Sequence, residues 1–204
     1  MAKKISKKFF APKASLVAPK LLGKKLCAKG CSALITEVEA YEGENDPASH
    51  AYKRTPRSAI MHDTYAHWYV YFIYGNHFCL NITAGDGVPG AVLIREVFPI
   101  KGLKLMKKRR FGVGNITSTK HPLKPRNIKD LCSGPGKLCQ SFGINKEFNG
   151  LPSGKRLWIE EPTKEDLLAL NTRRGLKHNK LCASPRVGIS KGKNLKWRFR
   201  LEEK

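Results

Sequence analysis

Two runs of aromatic and branched residues, Tyr69-Val70-Tyr71-Phe72-Ile73-Tyr74 and His77-Phe78-Cys79-Leu80-Asn81-Ile82, flank Gly75-Asn76. A glycine–asparagine pair supplies the positive-φ positions that a tight antiparallel turn needs, so the stretch predicts a β-hairpin. Turn length decides which side chains share a face, because strand side chains alternate. A two-residue loop pairs Tyr74 with His77 and Tyr71 with Leu80, and sends Asn81 to the other face. A three-residue loop, Tyr74 to Asn76, pairs Ile73 with His77 and gathers Tyr71, Cys79 and Asn81 on one face. The second register builds the wall of a pocket and is preferred, with the first left open. The same stretch also reads as an ordinary core hairpin with its aromatic side chains buried.

The surroundings of that hairpin are basic. The chain has 204 residues, enough for one well-buried domain and short for two. Its 39 Lys and Arg against 16 Asp and Glu leave a formal net charge of +23, which points to a polyanionic partner. Anionic membrane is the competitor, but no apolar run approaches the roughly 20 residues that span a bilayer, so an integral membrane protein is not expected. Six cysteines stand at positions 27, 31, 79, 132, 139 and 182. None has the close paired spacing with companion histidines of a zinc site, and no secretory signal precedes them. Reduced thiols are therefore expected, in the cytoplasm or nucleoid of a bacterium or the nucleus of a eukaryote, and not in a secreted protein. The first 36 residues hold no acid. Residues 1–12 read as a flexible basic arm and 13–204 as a single domain.

Along the chain, Leu16, Val17, Leu21 and Leu22 suggest a short helix stopped near Gly23, and Leu26 to Cys31 a strand and turn. Alternation over Ala33 to Tyr41 puts Leu34, Thr36, Val38 and Ala40 on one face and Ile35, Glu37, Glu39 and Tyr41 on the other. Gly43 to Arg57 is a polar loop carrying His50 and the basic run Lys53-Arg54-Thr55-Pro56-Arg57. Ala91 to Ile94 reads as a buried strand ending in Arg95-Glu96, and Ile100 to Arg110 as a helix with Ile100, Leu103 and Met106 inward. Residues 112–127 form a loop. Ser133-Gly134-Pro135-Gly136-Lys137 opens a helix, with Ser133 as candidate cap. Trp158-Ile159 is a strand, Thr163 with Asp166 starts a helix through Leu170, and Leu181–Ile189 and Leu195–Leu201 close the sheet. One mixed domain of helices and sheet is the economical fold.

Few familiar reactive motifs occur. Ser133 to Lys137 lacks the spacing of a phosphate-binding P-loop, although a glycine-rich helix start still offers free N–H groups to a phosphate. No G-x-S-x-G elbow or H-E-x-x-H zinc pair is present. What remains is an acid that could serve as a base (Glu39), an arginine at the end of a buried strand (Arg95), His50, and a set of tyrosines. One carboxylate and one guanidinium can position and activate water. The same pair could equally be a structural ion pair, and His50 a surface loop residue.

Read in order, Glu37-Val38-Glu39-Ala40-Tyr41, His50, Tyr69 to Gly75, Asn81, Leu93-Ile94-Arg95, Leu131 to Gln140 and Pro185-Arg186-Val187-Gly188-Ile189 resemble the alkyladenine (3-methyladenine) DNA glycosylase family. The likeness runs from about Leu16 to Phe199. It implies one α+β domain with a curved antiparallel sheet, surrounding helices and a protruding hairpin that enters DNA. It implies a monomeric, monofunctional hydrolase without a cofactor or metal. Such an enzyme acts on double-stranded DNA and excises alkylated or deaminated purines (3-methyladenine, hypoxanthine, ethenoadenine), leaving an abasic site. By position, Glu39 would deprotonate the water, with Arg95 and the backbone carbonyl near Val187 helping to hold it. Tyr41, His50 and Tyr71 would line the base pocket, Asn81 would crowd a 2-amino group, and Tyr74 would fill the vacated stack. Arg54, Arg57, Ser133, Gly134 and Lys137 are candidates for the DNA backbone. The basic surface and aromatic faces agree with what base flipping needs.

Asn76-His77 departs from the bulkier residues of vertebrate relatives, which leaves the wedge to Tyr74, and residues 163–180 match poorly. A non-catalytic nucleic-acid-binding module is the alternative, since charge alone allows it. Glu39 discriminates, because a binder has no need of an acid facing a bound polyanion. A formyl-transfer accessory domain, of a related fold, is disfavoured by Glu39 together with Tyr74.

Overall fold

A computed structural model describes residues 3–112, 128–174 and 179–203. Its described residues form one eight-stranded sheet in which every strand pairing is antiparallel. The strands are β1 (Lys25–Ala28), β2 (Cys31–Glu42), β3 (Trp68–Ile73), β4 (His77–Thr83), β5 (Gly90–Lys101), β6 (Leu157–Glu160), β7 (Asn179–Ser184) and β8 (Arg198–Glu203). Five α-helices surround them: α1 (Ala14–Leu21), α2 (Ala59–Asp63), α3 (Leu103–Phe111), α4 (Pro135–Phe142) and α5 (Lys164–Arg174). This is the α+β architecture with a curved antiparallel sheet expected from the sequence.

The long pair β2–β5 is the spine. The order β3-β4-β5-β2-β1-β6 runs across it, and β8 pairs with both β2 and β7. The outer edge of β2 is shared, β1 taking Cys31–Leu34 and β8 taking Glu37–Glu39. One face of the sheet meets α1, α3 and α4 in the main core, where Val70, Leu80, Ile82, Val92 and Ile94 pack with Val17, Met106, Leu138 and Phe142. The opposite face carries only two small apolar clusters, one around Ala51, Met61, Tyr69 and Ala91 and one around Leu34, Phe98 and Leu170. Polar chemistry is concentrated on this second face.

Strand β2 does not alternate as expected. Register shifts against β5 on both sides of Glu37 make an irregularity at Thr36-Glu37. A bulge of this kind reverses the pleat. Ile35 therefore joins Val38 and Ala40 in the main core, and Leu34 goes to the opposite face. Glu37 and Glu39 stay together, but without Ile35. The hairpin takes the three-residue loop, with Ile73 opposite His77, Tyr71 opposite Cys79 and Tyr69 opposite Asn81. Its tip is closed by the Asn76 N–H donating to the Ile73 carbonyl (3.3 Å), with φ of 53° at Tyr74 and 68° at Gly75. A bulky residue in the left-handed region is uncommon and marks a constrained position.

Other boundaries move. The segment up to residue 12 is not a free arm from Lys3 onward. The Ile5 N–H donates to the Ile159 carbonyl, the Glu161 N–H to that of Lys3, and Phe10 is wholly buried. Ile100 belongs to β5, and α3 starts only at Leu103 after a left-handed Gly102. Gly134, not Ser133, caps α4, because Ser133 bridges to Glu96 of β5. Thr163 and Asp166 do form a reciprocal cap, each N–H donating to the other's side chain, but α5 continues past Leu170. The loop expected over 112–127 lies outside the described residues beyond Gly112. All six cysteines are free thiols.

Candidate active site

The bulge in β2 and the hairpin register together open a cavity of about 480 Å³ on the second face of the sheet. Six of its wall residues come from three cross-strand pairs, Tyr69–Asn81, Tyr71–Cys79 and Ile73–His77. Tyr41, His50 and Arg95 complete the near wall, and Val187 to Ile189 and the turn into α4 close the far side. Tyr74 stands at the mouth with 82% of its surface exposed. An exposed tyrosine is ordinary, but one held at positive φ on a hairpin tip beside a cavity is presented to something outside.

Glu39 is wholly buried, and its carboxylate is fixed from three directions. The Val187 backbone N–H donates to Oε1 (2.7 Å), the Tyr41 phenol to Oε2 (2.8 Å), and Arg95 Nη1 to Oε2 (3.2 Å). All three donors line the cavity, so the carboxylate lies one layer behind its wall. A carboxylate offers about four acceptor positions. Three are occupied here, which leaves one for a water. Burial and the adjacent Glu39 charge push the Tyr41 phenol well above its usual range, keeping it a protonated donor.

Glu37 plays a different part. It accepts from Arg95 Nε and from Arg198 Nε, both at 2.8 Å. Burial raises the Glu37 carboxyl, but Arg198 and Arg95 outweigh it and leave it below the ordinary glutamate value. Arg95 thus spans the two acids, with its Nε on Glu37 and its Nη1 on Glu39. Burial opposes its charge, and Glu39 and Glu37 more than offset that.

The aromatic wall is a connected set. His50, in a short 3-10 turn, places Nδ1 2.8 Å from the Tyr69 phenol oxygen and its ring edge-on to Tyr71 at 4.7 Å between centroids. Tyr69 and Tyr71 are tilted at 5.3 Å, and the Arg57 guanidinium lies over Tyr71 at 4.9 Å. Burial, aided by Arg57, holds His50 below its ordinary value, so the neutral imidazole is favoured. Asn81 is almost wholly buried, its Nδ2 donating to the Tyr69 carbonyl (3.0 Å).

The expected site residues fall into two groups. Tyr41, His50, Tyr71, Tyr74, Asn81, Arg95, Val187, Ser133, Gly134 and Lys137 all line the cavity, with Glu39 behind it. Arg57 lies over Tyr71 but is not among the lining residues, and Arg54 does not join them either. It forms a bidentate pair with Asp63 (both bonds 2.8 Å) and would have to leave it to meet a phosphate. Val187 enters by its N–H, which donates to Glu39. At the start of α4, Lys137 Nζ donates to Ser133 Oγ (3.3 Å), and a Cβ on Gly136 would lie 2.9 Å from His77 Cγ. Only glycine lets α4 approach the hairpin that closely. Among the described residues, no group of three or more His, Cys, Asp or Glu could hold a metal ion.

Four contributors were missed. Tyr69 was legible, since it lies two residues from Tyr71 and shares its face. Met61 sits on α2, just past the polar loop of Gly43 to Arg57, in a short stretch to which no element was assigned. Asp46 and Arg186 form a wholly buried ion pair (2.6 and 2.7 Å) across 140 residues, which no local pattern reveals.

Comparison with known proteins identifies the family. The family model for methylpurine-DNA glycosylase (MPG) matches residues 8–204. Three relatives carry the name "Putative 3-methyladenine DNA glycosylase". One from Clostridium acetobutylicum is 37% identical over 207 residues, covering 96% of this chain and 93% of its own. One from Desulfitobacterium hafniense is 36% identical over 212 residues, covering 98% and 96%. One from Rhodopseudomonas palustris is 40% identical over 200 residues, covering 97% and 87%. On these matches the chain belongs to the methylpurine-DNA glycosylase family.

Proposed function

We propose that this protein excises alkylated or deaminated purines from duplex DNA by hydrolysing the N-glycosidic bond, with Glu39 as the base that activates water. The observation that carries the reading is the buried Glu39 carboxylate, held by Tyr41, Arg95 and Val187 directly behind the wall of an aromatic cavity that all three line. Departure of a purine leaves a sugar with oxocarbenium character. A carboxylate both accepts a proton from the incoming water and offsets the cation, as in related sugar chemistry. Arg95 donates to that carboxylate, and Glu37 keeps Arg95 in place. The flipped base would stack on Tyr71 and His50, Asn81 would exclude a 2-amino group, and Tyr74 would fill the gap in the duplex. The excess of lysine and arginine would neutralise backbone phosphates, with Arg57 and the start of α4 as near candidates. The protein is read as a monomer on its substrate.

The test is direct. Duplex oligonucleotides bearing hypoxanthine, 1,N6-ethenoadenine or 3-methyladenine are incubated with the protein, and abasic sites are cleaved with alkali. Strand scission confined to the lesion position supports the reading. Tight binding with no scission on any lesion would favour the alternative of a non-catalytic binding module.

A further inference from the structure

The strand that carries Glu39 and the segment that carries Val187 are far apart in sequence, and something must hold them in register. Residues 185–197 have no regular secondary structure, and the Val187 side chain is 45% exposed, so neither a sheet ladder nor burial of Val187 fixes its N–H. The neighbouring Arg186 is fixed instead. Its guanidinium is wholly buried, donating to both carboxylate oxygens of Asp46 (2.6 and 2.7 Å) and to the Ala40 carbonyl (2.9 Å). It lies over the Tyr41 ring at 4.6 Å and the Trp197 ring at 5.4 Å. A Cβ on Gly192 would come within 3.0 Å of its Nη2. Asp46 is tied in turn to the Glu42 and Ala48 N–H groups.

Arg186 therefore grips the peptide between Glu39 and Tyr41, packs on the Tyr41 ring, and precedes the residue whose N–H holds Glu39. We propose that the buried Arg186–Asp46 pair is a positioning device, locking Val187 N–H and the Tyr41 phenol onto Glu39 and so fixing that carboxylate behind the cavity wall. Neither side chain touches substrate; both act through Glu39. The role in excision rests on the glycosylase reading above, whereas the placement of Val187 does not. A planar guanidinium suits this task, because it can satisfy two carboxylate oxygens and a carbonyl at once while stacking on rings. Lysine cannot.

The test uses the full chain with Arg186→Lys, Asp46→Asn, and the double variant Asp46→Asn/Arg186→Gln, which removes the uncompensated buried charge that could unfold a single variant. Hydrogen exchange of the Val187 amide is followed in the free protein, with Leu93 and Ile94 of β5 as internal controls. Single-turnover excision and lesion-DNA affinity are measured alongside. Val187 exchange should rise at least tenfold with the β5 amides unchanged. Excision should fall at least tenfold while affinity stays within about twofold, a split that general destabilisation would not produce. Unchanged Val187 protection, or unchanged excision, in a folded variant overturns the proposal. Failure of all three variants to fold overturns it as well, by making the pair a requirement of folding. If the wild-type protein excises no lesion, the glycosylase reading fails, and Val187 exchange alone still decides the positioning claim.

Discussion

Val187 donates its backbone N–H to the Glu39 carboxylate at 2.7 Å across 148 residues of chain. That bond closes the far side of the cavity onto its acid, and it divides labour between two glutamates on one strand. Glu39 is buried behind the cavity wall and held by neutral and cationic donors. Glu37 is spent on Arg95 and Arg198. Two carboxylates that look equivalent in sequence thereby differ in their partners, and on the proposed function one is the reactive group and the other a structural one.

Tyr74→Ala tests the wedge. Tyr74 is exposed and contributes little to the core, so folding stability should change by no more than about 0.5 kcal/mol. Affinity for a lesion duplex should fall by roughly 1–3 kcal/mol, the worth of one base–aromatic stack, with a smaller effect on undamaged duplex. Equal losses on both DNAs, measured by fluorescence anisotropy, would remove Tyr74 from the role of filling the stack.

Asn81→Ser tests selectivity. The substitution shortens a buried side chain and gives up the bond to the Tyr69 carbonyl, at a cost of about 1 kcal/mol in stability. The freed space should admit a 2-amino group, so guanine release from mismatched pairs should rise relative to hypoxanthine release. Guanine release that stays undetectable while hypoxanthine excision is unaltered would mean that Asn81 does not police the pocket.

His50 carries a pH signature. Burial first and Arg57 second hold its imidazole below the ordinary 6.5. A depressed folded value means that its contribution to stability is fully present above the unfolded value of about 6.5 and is lost as pH falls through the folded one. Urea melts of the wild type should therefore weaken over that interval, and His50→Gln should flatten the change. An NMR titration of the ring should give a midpoint below 6.5, and Arg57→Gln should raise it part of the way. A midpoint unmoved by Arg57→Gln would show that the guanidinium over Tyr71 is not felt at His50.

Much of this site was readable in the chain because its signals are local. The hairpin announced itself through Gly75-Asn76, and a three-residue loop was enough to put Tyr71, Cys79 and Asn81 on one wall. Arg95 followed from a buried strand ending in a charge. What stayed hidden depends on distance or on a broken period. The bulge at Thr36-Glu37 cannot be seen in alternation, so Ile35 was placed with the acids it turns away from. Asp46 read as a loop turn residue, because its partner Arg186 lies in another part of the chain. The N-terminal segment read as a basic arm because Ile5, Phe9 and Phe10 are scattered among lysines, yet Phe10 enters the core with Ile5 and Phe9 against it.

Glu39→Gln is the measurement on which the account rests most directly. Glutamine keeps the shape and an acceptor for the Val187 N–H, but it can neither take a proton nor offset the sugar cation. Single-turnover excision of hypoxanthine should fall at least about 10²-fold, the low end for loss of a general base, while lesion-duplex affinity is retained. Glu37→Gln is the control, and it should cost about 1–3 kcal/mol of stability through its two arginine bonds with a far smaller effect on excision. Glu39→Gln that excises at the wild-type rate, or Glu37→Gln that abolishes excision in a folded protein while Glu39→Gln does not, would contradict the assignment of Glu39 as the base.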